Sequence, residues 1–270
     1  MSRLDKKFKA LKTSGRKALI TFITAGDPDL DATCDLVVTL AEAGADVVEL
    51  GVPFSDPLAD GPTIQKASSR ALAGGVTLKK ILATVTKIRQ QTDVPLVLMS
   101  YYNPIFSYGL ERFVADASAV GVDGVIVPDL PLEESLLLRT LAAAKLAVVP
   151  LAAPTTPAER LKEIVAAGSG FLYYVTVTGI TGTRTSLPPE LTATLDRVKK
   201  IAGDLPLAAG FGISTPEQAE MVGRHCDAII VGSALVEIIA NSGAAPGGWQ
   251  KLSGFVRNLR QALDAGSGGE

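Results

Sequence analysis

Short apolar runs rich in β-branched residues alternate along the chain with longer stretches whose apolar positions recur every three to four residues. The runs at 18–24 (ALITFIT), 46–50 (DVVEL), 95–100, 124–127, 147–151, 171–175, 206–209 and 228–231 read as strands. The amphipathic stretches at 31–43, 78–91, 110–120, 132–144, 157–167, 189–202, 215–224 and 233–240, the last continued over 248–265, read as helices. Gly44, Gly121, Gly168 and Gly203 follow helix ends, where a left-handed residue is wanted. Pro157, Pro189 and Pro216 fall in first turns, with Thr156 and Thr215 placed as N-caps.

Eight strand–helix units with continuously apolar strands predict a parallel sheet covered by helices. The number of units and a length of 270 residues, near the roughly 250 typical of the closed form, favour an α/β fold of the (β/α)8 TIM-barrel type over an open doubly wound sheet. No Gly-x-Gly-x-x-Gly follows the first strand, which removes the dinucleotide-binding signature. An extra amphipathic helix over 3–12 is expected to close the barrel bottom, and residues 265–270 to fray. No linker divides the chain, so residues 1–270 are expected to form one domain.

Composition narrows the chemistry. Apolar residues make up 47% and charged residues 20%, with a net charge of −2 and no basic stripe, which speaks against nucleic acid or a membrane surface as partner. The first 17 residues lack the apolar core of a signal peptide, no apolar run reaches the ~20 residues of a membrane span, and Cys34 and Cys226 read as buried thiols; a cytoplasmic location is expected. His225 is the only histidine. Histidine-built zinc sites and most Ser-His-Asp arrangements are thereby excluded, no metal is expected, and acid–base work falls to carboxylates.

Active sites of such barrels form at the C-terminal strand ends. The polar residues there are Asp27, Glu49, Asp60, Tyr101, Asn103, Asp129, Thr176, Thr178, Thr181 and Ser233. Glu49 lies inside an apolar strand and points opposite to Val48 and Leu50, so it must be paired, hydrogen-bonded or functional. A structural ion pair is the plain alternative. No Lys or Arg occurs between Lys17 and Lys66, which weakens a local pairing only. Residues 51–65 read as a long Pro- and Gly-rich loop in which Asp56 and Asp60 can simply serve turns. Yet Val52, Pro53, Phe54, Pro57 and Leu58 are apolar for a solvated loop and suggest contact with a substrate or second chain. Glycines at 179–182, 210–214 and 231–234 follow three late strands, where backbone amides and Ser233 at a helix start suit a phosphate.

The segment ELGVPFSDPLADGPTIQ (49–65) resembles the signature of the tryptophan synthase alpha chain family. The resemblance continues through TFITAGDP (21–28), YYNPIF (101–106), VPDLPLEES (127–135), VTGITG (177–182), GFGIS (210–214) and VGSA (231–234), in order and over nearly the whole chain. It implies a lyase that cleaves indole-3-glycerol phosphate by a retro-aldol reaction to indole and glyceraldehyde 3-phosphate. It assigns catalysis to Glu49 and Asp60, the substrate ring to Phe22, Met99, Tyr101 and Ile126, and further pocket lining to Asp129, Tyr173, Thr181 and Phe211. The phosphate falls to Gly182, Gly212, Gly232 and Ser233. It further implies an αββα heterotetramer with a tryptophan synthase beta chain that carries pyridoxal phosphate, the alpha chain itself needing no cofactor. Pro53 and Asp56 are then expected partner contacts. An indole-glycerol-phosphate synthase or a Schiff-base aldolase would require a lysine on a barrel strand, and none of the eight runs contains one. A non-catalytic relative that only binds the ester would be expected to lack Glu49 or Asp60, and both are present.

Overall fold

The computed structural model describes residues 1–175, 189–210, 212–242 and 248–266. Its strands are β1 (Ala18–Thr24), β2 (Val47–Gly51), β3 (Leu96–Met99), β4 (Gly124–Ile126), β5 (Ala147–Val148), β6 (Leu151–Ala152), β7 (Leu172–Val175), β8 (Leu207–Gly210) and β9 (Ala228–Val231). They pair in parallel in the order β5-β4-β3-β2-β1-β9-β8-β7-β6. The two ends of that order are consecutive in the chain, and the residues between them close the ring. Val149 N–H donates to the Val125 carbonyl on one side, and Tyr173 N–H donates to the Pro150 carbonyl on the other. The expected single strand over 147–151 is thus broken in two at Val149–Pro150, where proline supplies no N–H to the ladder.

The helices are α1 (Arg3–Thr13), α2 (Leu30–Glu42), α3 (Pro62–Ala73), α4 (Leu78–Arg89), α5 (Tyr102–Tyr108), α6 (Leu110–Val120), α7 (Ser135–Ala143), α8 (Ala158–Ala167), α9 (Pro189–Ala202), α10 (Pro216–Gly223), α11 (Ser233–Ser242) and α12 (Gln250–Gly266). The ring of parallel strands under a layer of helices is the expected α/β barrel. Outward residues of β1 and β2 such as Leu19, Ile23, Val48 and Leu50 pack under the helix layer. Inward residues such as Ala18, Ile20, Val47, Val97, Ile126 and Ala208 fill the barrel interior. The N-terminal helix meets expectation: Leu4, Phe8 and Leu11 of α1 join that interior cluster, and the Phe8 and Phe171 rings lie 5.7 Å apart. A capping box between Ser2 and Asp5 starts this helix.

Local structure departs from expectation at five points. Residues 51–65 are not loop throughout, because α3 begins at Pro62, with Gly61 as N-cap. The helix was hidden because its buried face is made of Ala67, Ser68 and Ala71, which give little hydrophobic periodicity. The seven-residue α5 was also unforeseen. Thr156 does not cap α8, since its hydroxyl accepts the Ala153 N–H and Pro157 is the cap; Thr215 does cap α10. Gly168 is extended, not left-handed: a Cβ there would lie 2.3 Å from Pro150, so the glycine serves close approach to the broken strand. At the C-terminus α12 continues to Gly266, so residues 265 and 266, read as part of a frayed tail, are helical.

Candidate active site

Alternation along β1 and β2 decides which side chains face the barrel axis. Phe22 and Glu49 are register partners, and Glu49 also pairs with Val97 of β3. Val47 below Glu49 belongs to the interior cluster, while Val48 and Leu50 belong to the outer one. Glu49 therefore points inward, directly above the apolar filling. It is fully buried, and neither carboxylate oxygen has a hydrogen-bond partner among the described residues. The structural ion pair is thus absent from the described residues. Burial alone pushes its pKa from 4.5 to about 8, so the carboxyl is mostly protonated at neutral pH.

Above it opens a cavity of about 280 Å³ at the C-terminal end of the strands. It is lined by Phe22, Met99, Tyr173 and Asp60, by Ile64 of the first turn of α3, and by Gly210, Gly212, Gly232 and Ser233. Gly212 has a φ of +65°, and α11 begins at Ser233, so the free N–H groups of that helix start face this end. The Phe22 ring fits because both neighbouring strand ends carry glycine. A Cβ on Gly51 would lie 2.5 Å from the ring, and one on Gly232 would lie 3.3 Å from the Phe22 Cβ.

Asp60 sits at the rim, half-buried, two residues before α3. Desolvation raises its pKa from 3.8 to about 6, against the lowering effect of a hydrogen bond with Tyr101. Tyr101 is buried, and its hydroxyl also accepts the Ala59 N–H at 2.8 Å. Burial first, then the Asp60 charge, raises the phenol to about 12, so it stays a donor. The Tyr173 hydroxyl is pushed well above the ordinary value by burial and then by Glu49 and Asp60, which places all three groups around one space.

Other expected positions fall elsewhere. Ile126 is fully buried in the barrel interior, packed with Met99, and does not reach the cavity wall. Asp129 is exposed, and its carboxylate accepts the Tyr102 N–H at the start of α5 instead of lining the pocket. Pro53 is buried, so Asp56 and Leu58 form the outer surface of the loop. Thr176, Thr178, Thr181, Gly182 and Phe211 lie outside the described residues. Gly210, one of the glycines expected at the phosphate end, lines the cavity, as do Ile64, Leu151 and Ile230, which carried no expectation. Ile230 could have been found from period-two alternation with Ala228; Ile64 could not, because α3 was not foreseen.

The family model described as tryptophan synthase alpha chain matches residues 8–264. The chain belongs to the tryptophan synthase alpha chain family. The tryptophan synthase alpha chain of Citrifermentans bemidjiense is 50% identical over 270 residues, covering 99% of this chain and 100% of that one. A tryptophan synthase alpha chain from Legionella pneumophila has a solved structure with a TM-score of 0.89 at 40% identity, covering 98% of each chain. A structure of tryptophan synthase from M. tuberculosis in its aminoacrylate-bound form gives a TM-score of 0.86 at 33% identity, covering 97% of this chain and 100% of that one. As a member of this family, the chain is a lyase that cleaves indole-3-glycerol phosphate in the alpha half-reaction of tryptophan biosynthesis. The alpha chain binds no cofactor of its own, pyridoxal phosphate residing on the beta chain with which it forms the αββα complex.

Proposed function

We propose that Glu49 carries out both proton transfers of the cleavage and that Asp60 stabilises the charge on the ring. The observation that carries this reading is the fully buried, unpartnered carboxyl of Glu49, with a pKa near 8, turned into the barrel beside the cavity-lining Phe22, its register partner, and close enough to raise the Tyr173 phenol. Protonated Glu49 gives its proton to indole C3, leaving a cationic ring and a carboxylate. The carboxylate then takes the proton from the adjacent glycerol hydroxyl. The O–H electrons form the aldehyde, the C–C bond electrons return to the ring, and indole departs with Glu49 reprotonated. Asp60, ionised above about pH 6, accepts the indole N–H and offsets the developing positive charge. The Tyr101 hydroxyl holds that carboxylate in its charged form. No described strand contains a lysine, which disfavours a Schiff-base route.

In the same reading the ring lies between Phe22, Met99 and Tyr173, and the phosphate meets Gly212, Gly232 and the start of α11 at Ser233. Phosphate recognition by Gly182, and lining by Thr181 and Phe211, belong to this proposal on resemblance alone. The beta chain docks on the loop bearing Asp56 and Leu58, the latter 95% exposed. Docking there restrains the segment that carries Asp60 and so raises cleavage. The chain acts as one catalytic domain over residues 1–270, in the cytoplasm, where its free, buried Cys34 and Cys226 stay reduced. Among the described residues no helix is long and apolar enough to cross a membrane.

Single-turnover cleavage by Asp60→Asn and Glu49→Gln tests the roles. Both variants should retain affinity for the phosphate ester, with kcat reduced at least ~10²-fold. Near-native kcat in either removes that residue from the mechanism.

A further inference from the structure

Asp27 stands just past the C-terminal end of β1, yet the reaction leaves it without a role. It ends the turn after β1, is 4% exposed, and holds the Arg70 guanidinium through two bonds, Nε to Oδ1 at 2.8 Å and Nη2 to Oδ2 at 2.7 Å. Arg70 is in the last turn of α3, the helix whose first residue, Pro62, follows Asp60 by two positions. Between these ends α3 is a stiff rod. Its Ala67 and Ala71 are completely buried, so small side chains let the helix lie close over its neighbours, including β1 and α11. At its near end the Gln65 side chain donates to the Asp60 carbonyl at 2.8 Å, and Ala59 N–H donates to Tyr101.

We propose that the Asp27–Arg70 pair is a positioning device: it fixes the far end of α3 and thereby sets the Asp60 carboxylate in its place opposite Glu49. The geometry of a lever gives the scale. Eight residues separate Pro62 from Arg70, about 12 Å at 1.5 Å per residue. A tilt of roughly 10° at the clamp moves the Asp60 end by about 2 Å, and displacements on the order of 1 Å cost up to ~10²-fold in rate. Bidentate geometry is what resists the tilt, because a planar guanidinium gripping both carboxylate oxygens fixes direction as well as distance. Lysine at position 70 keeps the charge and loses the direction.

The inference rests on the role proposed for Asp60, so the experiment separates the two. Arg70→Ala, Arg70→Lys and Asp60→Asn are prepared singly, and each Arg70 variant is also combined with Asp60→Asn, all assayed with saturating cognate beta chain. Expected are a kcat loss of roughly 10- to 100-fold for Arg70→Ala and a smaller one for Arg70→Lys. KM and the affinity for inorganic phosphate should stay near native. In the Asp60→Asn background neither Arg70 change should lower kcat further. Native kcat per folded molecule in Arg70→Lys and Arg70→Ala, or undiminished losses in the Asp60→Asn background, overturns the positioning role. Should Arg70→Ala not fold, Arg70→Lys alone and in that background decides. An active Asp60→Asn enzyme instead overturns the reading of Asp60 itself.

Discussion

Replacing Glu49 by Gln removes one titrating proton from a fully buried site, and the consequence can be read in stability as well as in activity. In the unfolded chain this carboxyl titrates near 4.5, and in the folded chain burial moves it to about 8. Between those values the folded state binds the proton and the unfolded state does not. The folded pKa is raised, so the contribution is fully present below pH 4.5 and is lost as pH climbs toward 8. The slope is one proton, about 1.4 kcal/mol per pH unit, and the whole interval amounts to roughly 5 kcal/mol as an upper bound. Glutamine keeps the shape but cannot titrate. The difference in unfolding free energy between Glu49→Gln and the parent should therefore stay flat below pH 4.5, grow in favour of the variant with that slope, and level off above pH 8. Urea unfolding monitored by circular dichroism at half-unit pH steps measures it, with all other groups cancelling in the difference. A difference that does not change with pH refutes the account of Glu49 as a buried, unpartnered acid, even if the variant is inactive.

Three further outcomes follow from the same geometry. Tyr101→Phe removes the hydrogen bond that lowers the Asp60 pKa, so the acid limb of kcat/KM, expected near pH 6 in the parent, should move upward, while the alkaline limb near 8 set by Glu49 stays; a pH–rate profile with an unmoved acid limb speaks against the contact. Gly51→Ala places a Cβ 2.5 Å from the Phe22 ring and should cost about 1–3 kcal/mol of stability or a matching loss of substrate affinity, measured by thermal unfolding and KM; no change in either refutes the tight fit. Asp56→Ala and Leu58→Asp should weaken activation by the cognate beta chain while leaving the melting temperature within a few degrees, because both side chains are exposed; unimpaired activation at limiting beta chain removes the loop from the interface.

How far the sequence carries the reader varies with the physics of each element. The strands follow from continuous apolar runs buried on both faces and most helices from the periodicity of one buried face, and Glu49 stands out because a carboxyl inside an apolar strand violates that pattern. α3 escapes the same test because its buried face is alanine and serine, so close approach replaces hydrophobic bulk. The placement of Asp129 and Pro53 is illegible for another reason. Each sits in a segment of the right type, but whether a side chain faces the cavity, caps a helix or turns inward depends on contacts with α5 and β3 that are distant in sequence. The ion pair of Asp27 with Arg70 is likewise invisible until two elements 43 residues apart are brought together.

The N-terminal helix has a consequence for how the molecule comes into being on the ribosome. Leu4, Phe8 and Leu11 belong to the floor of the barrel, and Phe8 rests against Phe171. Made before the rest of the barrel, this helix waits for a partner more than 160 residues downstream, and the floor closes only after the strands that enclose it have been made. During that interval an amphipathic segment stands with its apolar side in water or on a chaperone. A chain shortened by its first 13 residues would form its ring around an unfilled, wettable base, so the cap behaves as a late-fitting stopper whose arrival marks completion of the fold.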